Sequence, residues 1–134
     1  QVLAGLGKLV GFPAMPPLWS LGYHQCRWNY KSQADLLQVH QRFDEEGIPL
    51  DVLWLDIEHT DGKRYFTWDQ HAFPDPLGMQ AELRAKGRHL INIVDPHIKV
   101  DDGYHVYAEM VKKGFAVMNK DGQPFHGHCW PGTH

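Results

Sequence analysis

The chain has 134 residues, 43% of them hydrophobic, and a formal net charge of −3. That length and apolar content suffice for the core of one small domain. The mixed charge gives no basic footprint for nucleic acid or an anionic membrane, and no apolar run approaches the roughly 20 residues of a membrane-spanning helix.

Cys26 and Cys129 are too few for a disulfide framework, and two free buried thiols are the preferred reading over a pair. Residues 1–10 do not resemble a signal peptide. They carry Val2, Leu6, Leu9 and Val10 at helical spacing, and Gly11 ends that helix. Pro13, Pro16 and Pro17 then impose an extended entry, because proline fixes φ and biases the preceding residue away from helix. Residues 18–23 read as the first strand, with residues 24–30 as a polar-aromatic loop at its C-terminal end. Ser32 is an N-cap and Asp35 favours the first turn of the next helix. Leu36, Val39, His40 and Phe43 share one face of it, and Gly47 and Pro49 stop it.

The second strand, residues 50–57, is a near-continuous apolar run of the kind a strand covered on both faces requires. It turns abruptly polar at Asp56, Glu58 and His59. The connection over residues 58–74 is long enough to be functional in its own right. Within it, Asp61-Gly62 predicts a turn and residues 64–68 a short extended run. Asp75 caps the next helix, Pro76 occupies its first position and Gly87 lies just past its end. The third strand, residues 89–95, is again apolar and again ends in an acid, followed by Pro96 and His97. A last helix carries Tyr104, Tyr107, Ala108 and Val111 on one face and ends at Gly114. Residues 115–118 and 125–130 then pair as a hairpin around Asp121-Gly122.

This order, strand and helix in strict alternation, means an α/β fold with parallel strands. No Gly-x-Gly-x-x-Gly turn follows any strand, so a dinucleotide site lacks support. Polar or aromatic groups stand at all three strand ends: Trp28; Asp56, Glu58 and His59; Asp95 and His97. Convergence of strand ends on one site is the habit of a (β/α)8 TIM barrel, which needs about 250 residues. The chain therefore reads as the N-terminal part of such a barrel, with a β-hairpin near its C-terminal end. It opens inside a helix and stops on Trp130-Pro-Gly-Thr-His134, the pattern of a segment of a larger protein.

Five motifs occur in order: Gly22-Tyr-His-Gln-Cys-Arg-Trp-Asn-Tyr30, Trp54-Leu-Asp-Ile-Glu-His59, Asp61-Gly-Lys-Arg-Tyr-Phe-Thr-Trp-Asp69, Ile93-Val-Asp-Pro-His-Ile98 and Cys129-Trp-Pro-Gly132. Together they resemble glycoside hydrolase family 31, in particular its branch of glucosidase II α subunits and neutral α-glucosidases. The resemblance spans residues 11–132 and implies a retaining α-glucosidase that removes terminal α-linked glucose from oligosaccharides, without a cofactor. It assigns Asp56 to the far hydroxyls of the bound glucose, Ile57 and Ile93 to the pocket lining, and Trp28 and Trp130 to aromatic walls. His59, Asp95 and His97 follow as supporting residues, and Arg64 and Lys99 as groups that fix hydrogen bonds at the mouth. A carboxylate suits the first role, since it only accepts and can take two sugar O–H groups. For the glucosidase II branch the resemblance also implies a noncatalytic β subunit and the endoplasmic reticulum lumen. For its relatives it implies the cytoplasm and α-1,4 rather than α-1,3 linkages.

A retaining glycosidase needs two carboxyl groups about 5–5.5 Å apart. The family's nucleophile lies in a Trp-x-Asp-Met-Asn-Glu type segment, which this sequence lacks. The resemblance gives neither catalytic role to Asp56, Glu58 or Asp95, so the segment alone is expected to be inactive. Two rival readings remain. One is a noncatalytic carbohydrate-binding homologue. The other is a zinc module built from His126, His128, Cys129 and His134, whose spacing differs from the usual paired arms of structural zinc sites.

Overall fold

The computed structural model describes residues 1–129 and 132–134. Three parallel strands form the central sheet in the order β1-β2-β3: β1 (His24–Gln25), β2 (Val52–Leu55) and β3 (His89–Asn92). His24 pairs with Val52, and Val52 with His89, so the strands start level and their C-terminal ends open on the same side. Helices α2 (Gln33–Glu45) and α3 (Pro76–Ala85) make the two crossovers. Their buried residues, Leu36 from α2 and Met79 and Leu83 from α3, join Leu53 and Leu55 in one core with Tyr30, Leu50 and Phe73. Both helices therefore cover the same face of a sheet whose strands follow chain order. An unclosed barrel wall has this arrangement, whereas a doubly wound sheet places helices on both faces.

Strand parity follows. Leu53, Leu55 and Leu90 pack toward the helices. Successive side chains alternate in a strand, so Val52 and Trp54, with Ile91, belong to the opposite, inner face. β2 carries its expected burden: Val52, Leu53 and Leu55 are fully buried, and Trp54 partly so, donating its Nε1–H to His24 Nδ1 at 2.9 Å.

The capping signals act as the sequence implies. Ser32 Oγ accepts the Asp35 N–H at 3.1 Å, and Asp75 Oδ1 accepts the Gly78 N–H at 2.9 Å behind Pro76. The face of α2 is also as expected, with Leu36 and His40 buried and Val39 and Phe43 packed against the core.

Several elements depart from expectation. Residues 18–23 form no strand; a 3-10 turn (Leu18–Leu21) occupies them, closed by Ser20, whose N–H and hydroxyl both bond the Pro17 carbonyl. Local side-chain bonds of this kind compete with sheet pairing. Gly22 then passes so close to Asp51 that a Cβ there would lie 2.0 Å from its carboxyl oxygen. The strand begins only at His24, inside the stretch expected as loop.

Residues 64–68 are likewise not extended. Lys63 and Phe66 both adopt φ of 64°, incompatible with a strand, and the Thr67 hydroxyl closes a turn onto the Arg64 carbonyl at 2.6 Å. Helix α1 (Val2–Val10) forms but buries none of its residues among those described. In α4 (His105–Lys113), Ala108 and Val111 are exposed while Val106, Tyr107 and Met110 are partly buried, so its inner face is rotated from the expected one.

The C-terminal hairpin is shorter than expected, held by a Met118–Pro124 bridge and the Phe125 N–H on the Val117 carbonyl at 2.7 Å. An unanticipated pairing follows, β4 (His128–Cys129) against β5 (Gly132–Thr133). Both cysteines are free, but Cys26 is exposed and Cys129 only partly covered, so neither is the buried thiol expected. No helix among the described residues is long and apolar enough to cross a membrane.

Arg88, at the entry to β3, ties α2 to the sheet. Its Nη1 donates to the His40 carbonyl at 2.9 Å and lies 2.8 Å from His40 Nδ1, and its Nη2 donates to Asp44 at 2.6 Å. A guanidinium only donates, so His40 Nδ1 must accept and the ring is neutral. Burial, and then the neighbouring Arg88 charge, lower the His40 pKa; burial likewise lowers that of His59. The unfolded chain therefore binds protons that the folded chain refuses once pH falls through about 6.5, the ordinary histidine value. Denaturant unfolding should show stability declining from pH 7.5 to pH 5.5, with a shallower decline in His40→Gln; a flat profile would contradict this.

Candidate functional site

At the C-terminal ends of the strands lies a pocket of about 450 Å³. Its walls come from three separate stretches: Trp28 after β1, Asp56, Ile57 and Glu58 after β2, and Ile93 and Asp95 after β3, with Lys63 added by the long connection. Four of the five residues singled out as ligand-contacting thus meet in one cavity. The fifth, Trp130, lies outside the described residues.

Asp56 sits where β2 ends, and it ends the strand actively. Its Oδ1 accepts the Ile57 N–H at 2.8 Å, capping a 3-10 turn (Ile57–His59), and the residue itself lines the pocket. His59 secures the same turn from behind. It is buried, and its Nδ1 lies 2.8 Å from the Asp56 carbonyl, which can only accept, so Nδ1 carries the proton. Its ring meets Trp68 edge-on at 5.0 Å. Burial holds its pKa down, which keeps the ring neutral in this donor role. Thr60 closes the turn, its hydroxyl bonding the Ile57 carbonyl at 2.6 Å. His59 does not line the pocket and supports it through the backbone.

Trp28 is 75% exposed yet oriented, because its Nε1–H donates to Glu58 Oε1 at 2.7 Å. An exposed indole fixed by its polar edge presents a flat apolar face for stacking. Glu58 Oε2 is buried and takes no hydrogen bond among the described residues.

Asp95, expected as a supporting residue, lines the same pocket. Its Oδ2 accepts the Tyr65 hydroxyl at 2.6 Å, with His97 Nε2 3.7 Å from the same oxygen. Burial, then the bond to Asp95, raise the Tyr65 pKa, so this hydroxyl stays a donor. His97 stands behind, its ring 5.9 Å from that of Tyr65. Arg64 and Lys99 act at the rim: Arg64 Nε donates to Asp101 at 3.0 Å and Lys99 Nζ to the Gly62 carbonyl at 2.7 Å. The Arg64 hydrogen bond, with that from the Gly103 N–H, holds the Asp101 carboxyl below the usual range.

Glu58 stood out at the end of the second strand without an assigned contact, and Lys63 and Tyr65 are the site groups that pattern reading passed over. Parity would have placed Glu58 with Asp56 had the strand continued, but a turn intervenes there. Lys63 and Tyr65 belong to an aperiodic loop that offers no such signal. The proposed zinc cluster does not assemble: no group of three or more His, Cys, Asp or Glu among the described residues is placed to hold a metal ion. His134 instead packs its ring against His97 at 5.3 Å.

Comparison with known proteins matches residues 13–134 to the glycosyl hydrolases family 31 TIM-barrel domain. The chain is 58% identical over 133 residues to neutral alpha-glucosidase AB of Mus musculus, covering 99% of this chain and 14% of the relative. It is 55% identical over 133 residues to a probable glucan 1,3-alpha-glucosidase of Arabidopsis thaliana, covering 99% of this chain and 14% of that one. Among solved structures, it superimposes on ER glucosidase II, a heterodimer of the catalytic subunit and the binding domain of the regulatory subunit. The TM-score is 0.96, with 52% identity over 98% of this chain and 14% of that one. The chain thus spans about one seventh of the length of these relatives.

The Trp28–Glu58 bond can be read directly. In protein labelled with ¹⁵N at the indoles, the Trp28 Nε1–H should exchange faster and shift in Glu58→Ala, whereas Glu58→Gln, which keeps an acceptor, should retain a protected signal. Identical Trp28 signals in all three proteins would show that the bond does not orient the ring.

Proposed function

This chain belongs to glycosyl hydrolase family 31, and we propose that it is part of the catalytic (β/α)8 barrel of a retaining α-glucosidase, supplying the wall that grips the terminal glucose. One observation carries this reading: Trp28, Asp56, Ile57 and Ile93, assigned to sugar contact from three separate sequence motifs, line a single pocket at the strand ends. The free oxygen of Asp56 accepts hydroxyls at the closed end of the glucose, while Trp28 stacks on a C–H face and the isoleucines exclude water. A pocket closed in this way selects a chain end over a chain interior.

Bond breaking falls to two carboxyl groups about 5–5.5 Å apart, one nucleophile and one acid/base. In this proposal both belong to other parts of the same enzyme. The acids of the pocket have other tasks, Glu58 holding Trp28 and Asp95 bonded to Tyr65. The likeness to ER glucosidase II and to a glucan 1,3-alpha-glucosidase favours α-1,3-linked glucose on an oligosaccharide as substrate. The same likeness favours a noncatalytic β subunit as partner and the endoplasmic reticulum lumen as compartment.

The test uses the full-length enzyme and p-nitrophenyl α-glucoside. Asp56→Asn should lower kcat/KM by about 100-fold, the loss of charge-assisted hydrogen bonds worth roughly 1.5–3 kcal/mol each. Its melting temperature should stay unchanged, because the asparagine carbonyl still caps Ile57. Wild-type activity in Asp56→Asn would sink the assignment. The 134-residue segment alone should show no turnover, and hydrolysis by it would place catalytic groups within it.

A further inference from the structure

The long connection after β2 is bolted to the connection after β3 at four points. Arg64 donates to Asp101, Lys99 to the Gly62 carbonyl at 2.7 Å, the Tyr104 hydroxyl to the Tyr65 carbonyl at 2.6 Å, and the Tyr65 hydroxyl to Asp95 at 2.6 Å. Three of these bonds join backbone or loop groups and hold one loop against another. The fourth differs, because it ends on a carboxyl group in the pocket wall.

Tyr65 is 1% exposed and Tyr104 2%, so the hydroxyl that reaches Asp95 is anchored at both ends in packed surroundings. It donates to Oδ2, and among the described residues Asp95 Oδ1 takes no hydrogen bond. A carboxyl group held by one oxygen has lost its rotational freedom about χ2, so the other oxygen is presented in one direction. A purely structural anchor has no need to line the cavity. Asp69 differs in its place: its Oδ1 takes the His71 and Ala72 N–H groups at 2.9 and 3.0 Å, and it lines no pocket described above.

We propose that Tyr65 is a positioning residue that fixes Asp95 as a second hydroxyl acceptor of the bound glucose, in the pocket that Asp56 also lines. The inference rests on the glucose-binding reading above and adds to it one substrate-contacting residue and the residue that aims it. Asp56 and Asp95 come from neighbouring strands and face a common cavity. Between them they accept hydroxyls at two different positions of the ring. Tyr65 touches no substrate; its effect passes through Asp95.

The experiment uses the full-length enzyme, with binding of glucose and of its monodeoxy analogues measured alongside turnover. Tyr65→Phe, which removes one oxygen and keeps the packing, should weaken glucose binding and raise KM about tenfold, with kcat little changed, as loss of one ground-state hydrogen bond to a charged group requires. Asp95→Asn should produce a comparable loss, and the double variant should be no worse than either single one. One deoxyglucose should bind wild type weakly yet lose nothing further in either variant, identifying the hydroxyl that Asp95 accepts.

Independent, multiplying losses from the two substitutions would overturn the proposal, as would unchanged glucose binding in Tyr65→Phe. If Tyr65→Phe fails to fold, Asp95→Asn with the deoxy series decides alone: a uniform loss across all analogues counts against it. Wild-type enzyme that binds no glucose would remove the glucose-site reading itself, a separate result from wild type that binds and variants that do not discriminate.

Discussion

The hydrogen bond from the Ile57 N–H to the Asp56 carboxyl is the interaction on which the site depends. β2 is buried on both faces, and a chain leaving such a strand must satisfy its backbone groups at once or bury them unpaired. Asp56 does this with one oxygen, and His59 and Thr60 complete the turn from the far side. The same turn brings Glu58 to the Trp28 Nε1–H and holds Asp56 in the pocket lining. One local solution to a backbone problem thus sets one wall of the cavity.

The second wall is built differently. Lys63 ends a short 3-10 turn (Asp61–Lys63) and Tyr65 lies just beyond it, in a stretch whose backbone passes through positive φ at Gly62, Lys63 and Phe66. Such conformations are costly for residues other than glycine and persist where surrounding bonds over-determine them. Here the bonds come from the β3–α4 connection, through Lys99, Asp101 and Tyr104. The pocket is therefore a joint product of two crossover units, and neither unit alone would form it. This dependence is typical of barrel sites, where catalytic and binding groups are gathered from several strand ends.

The segment also carries much apolar surface that meets nothing within it. Leu3, Leu9 and Leu18 are each more than 80% exposed, and Phe115 and Val117 are exposed beside α4. β1 and β3 are both edges of the sheet. Unpaired strand edges and uncovered apolar faces seek partners. A stretch with one seventh of the length of its family 31 relatives has these features because a barrel closes only when every strand has two neighbours.

Much was legible in the residues alone. Ser32, Gly47, Asp75 with Pro76, Gly87 and Gly114 marked the helices, since caps and breakers act within a few residues of one another. The apolar run of β2, its polar end at Asp56, and the parallel α/β order were equally local, as were the motifs that identified the family. What the sequence could not determine were the features set by distant groups. The first strand moved to His24 because pairing with Val52 and the carboxyl of Asp51 decide where it begins. Residues 64–68 bent into turns because their bonds run to Asp95, Asp101 and Tyr104, thirty or more positions away. Asp95 lines the pocket with its carboxyl bonded to the Tyr65 hydroxyl, thirty positions back in the chain. Local chemistry fixed which segments are helices and where the acids lie along the chain. Only packing between crossover units decided which way those acids point, because a hydrogen bond across such separations leaves no period in the sequence.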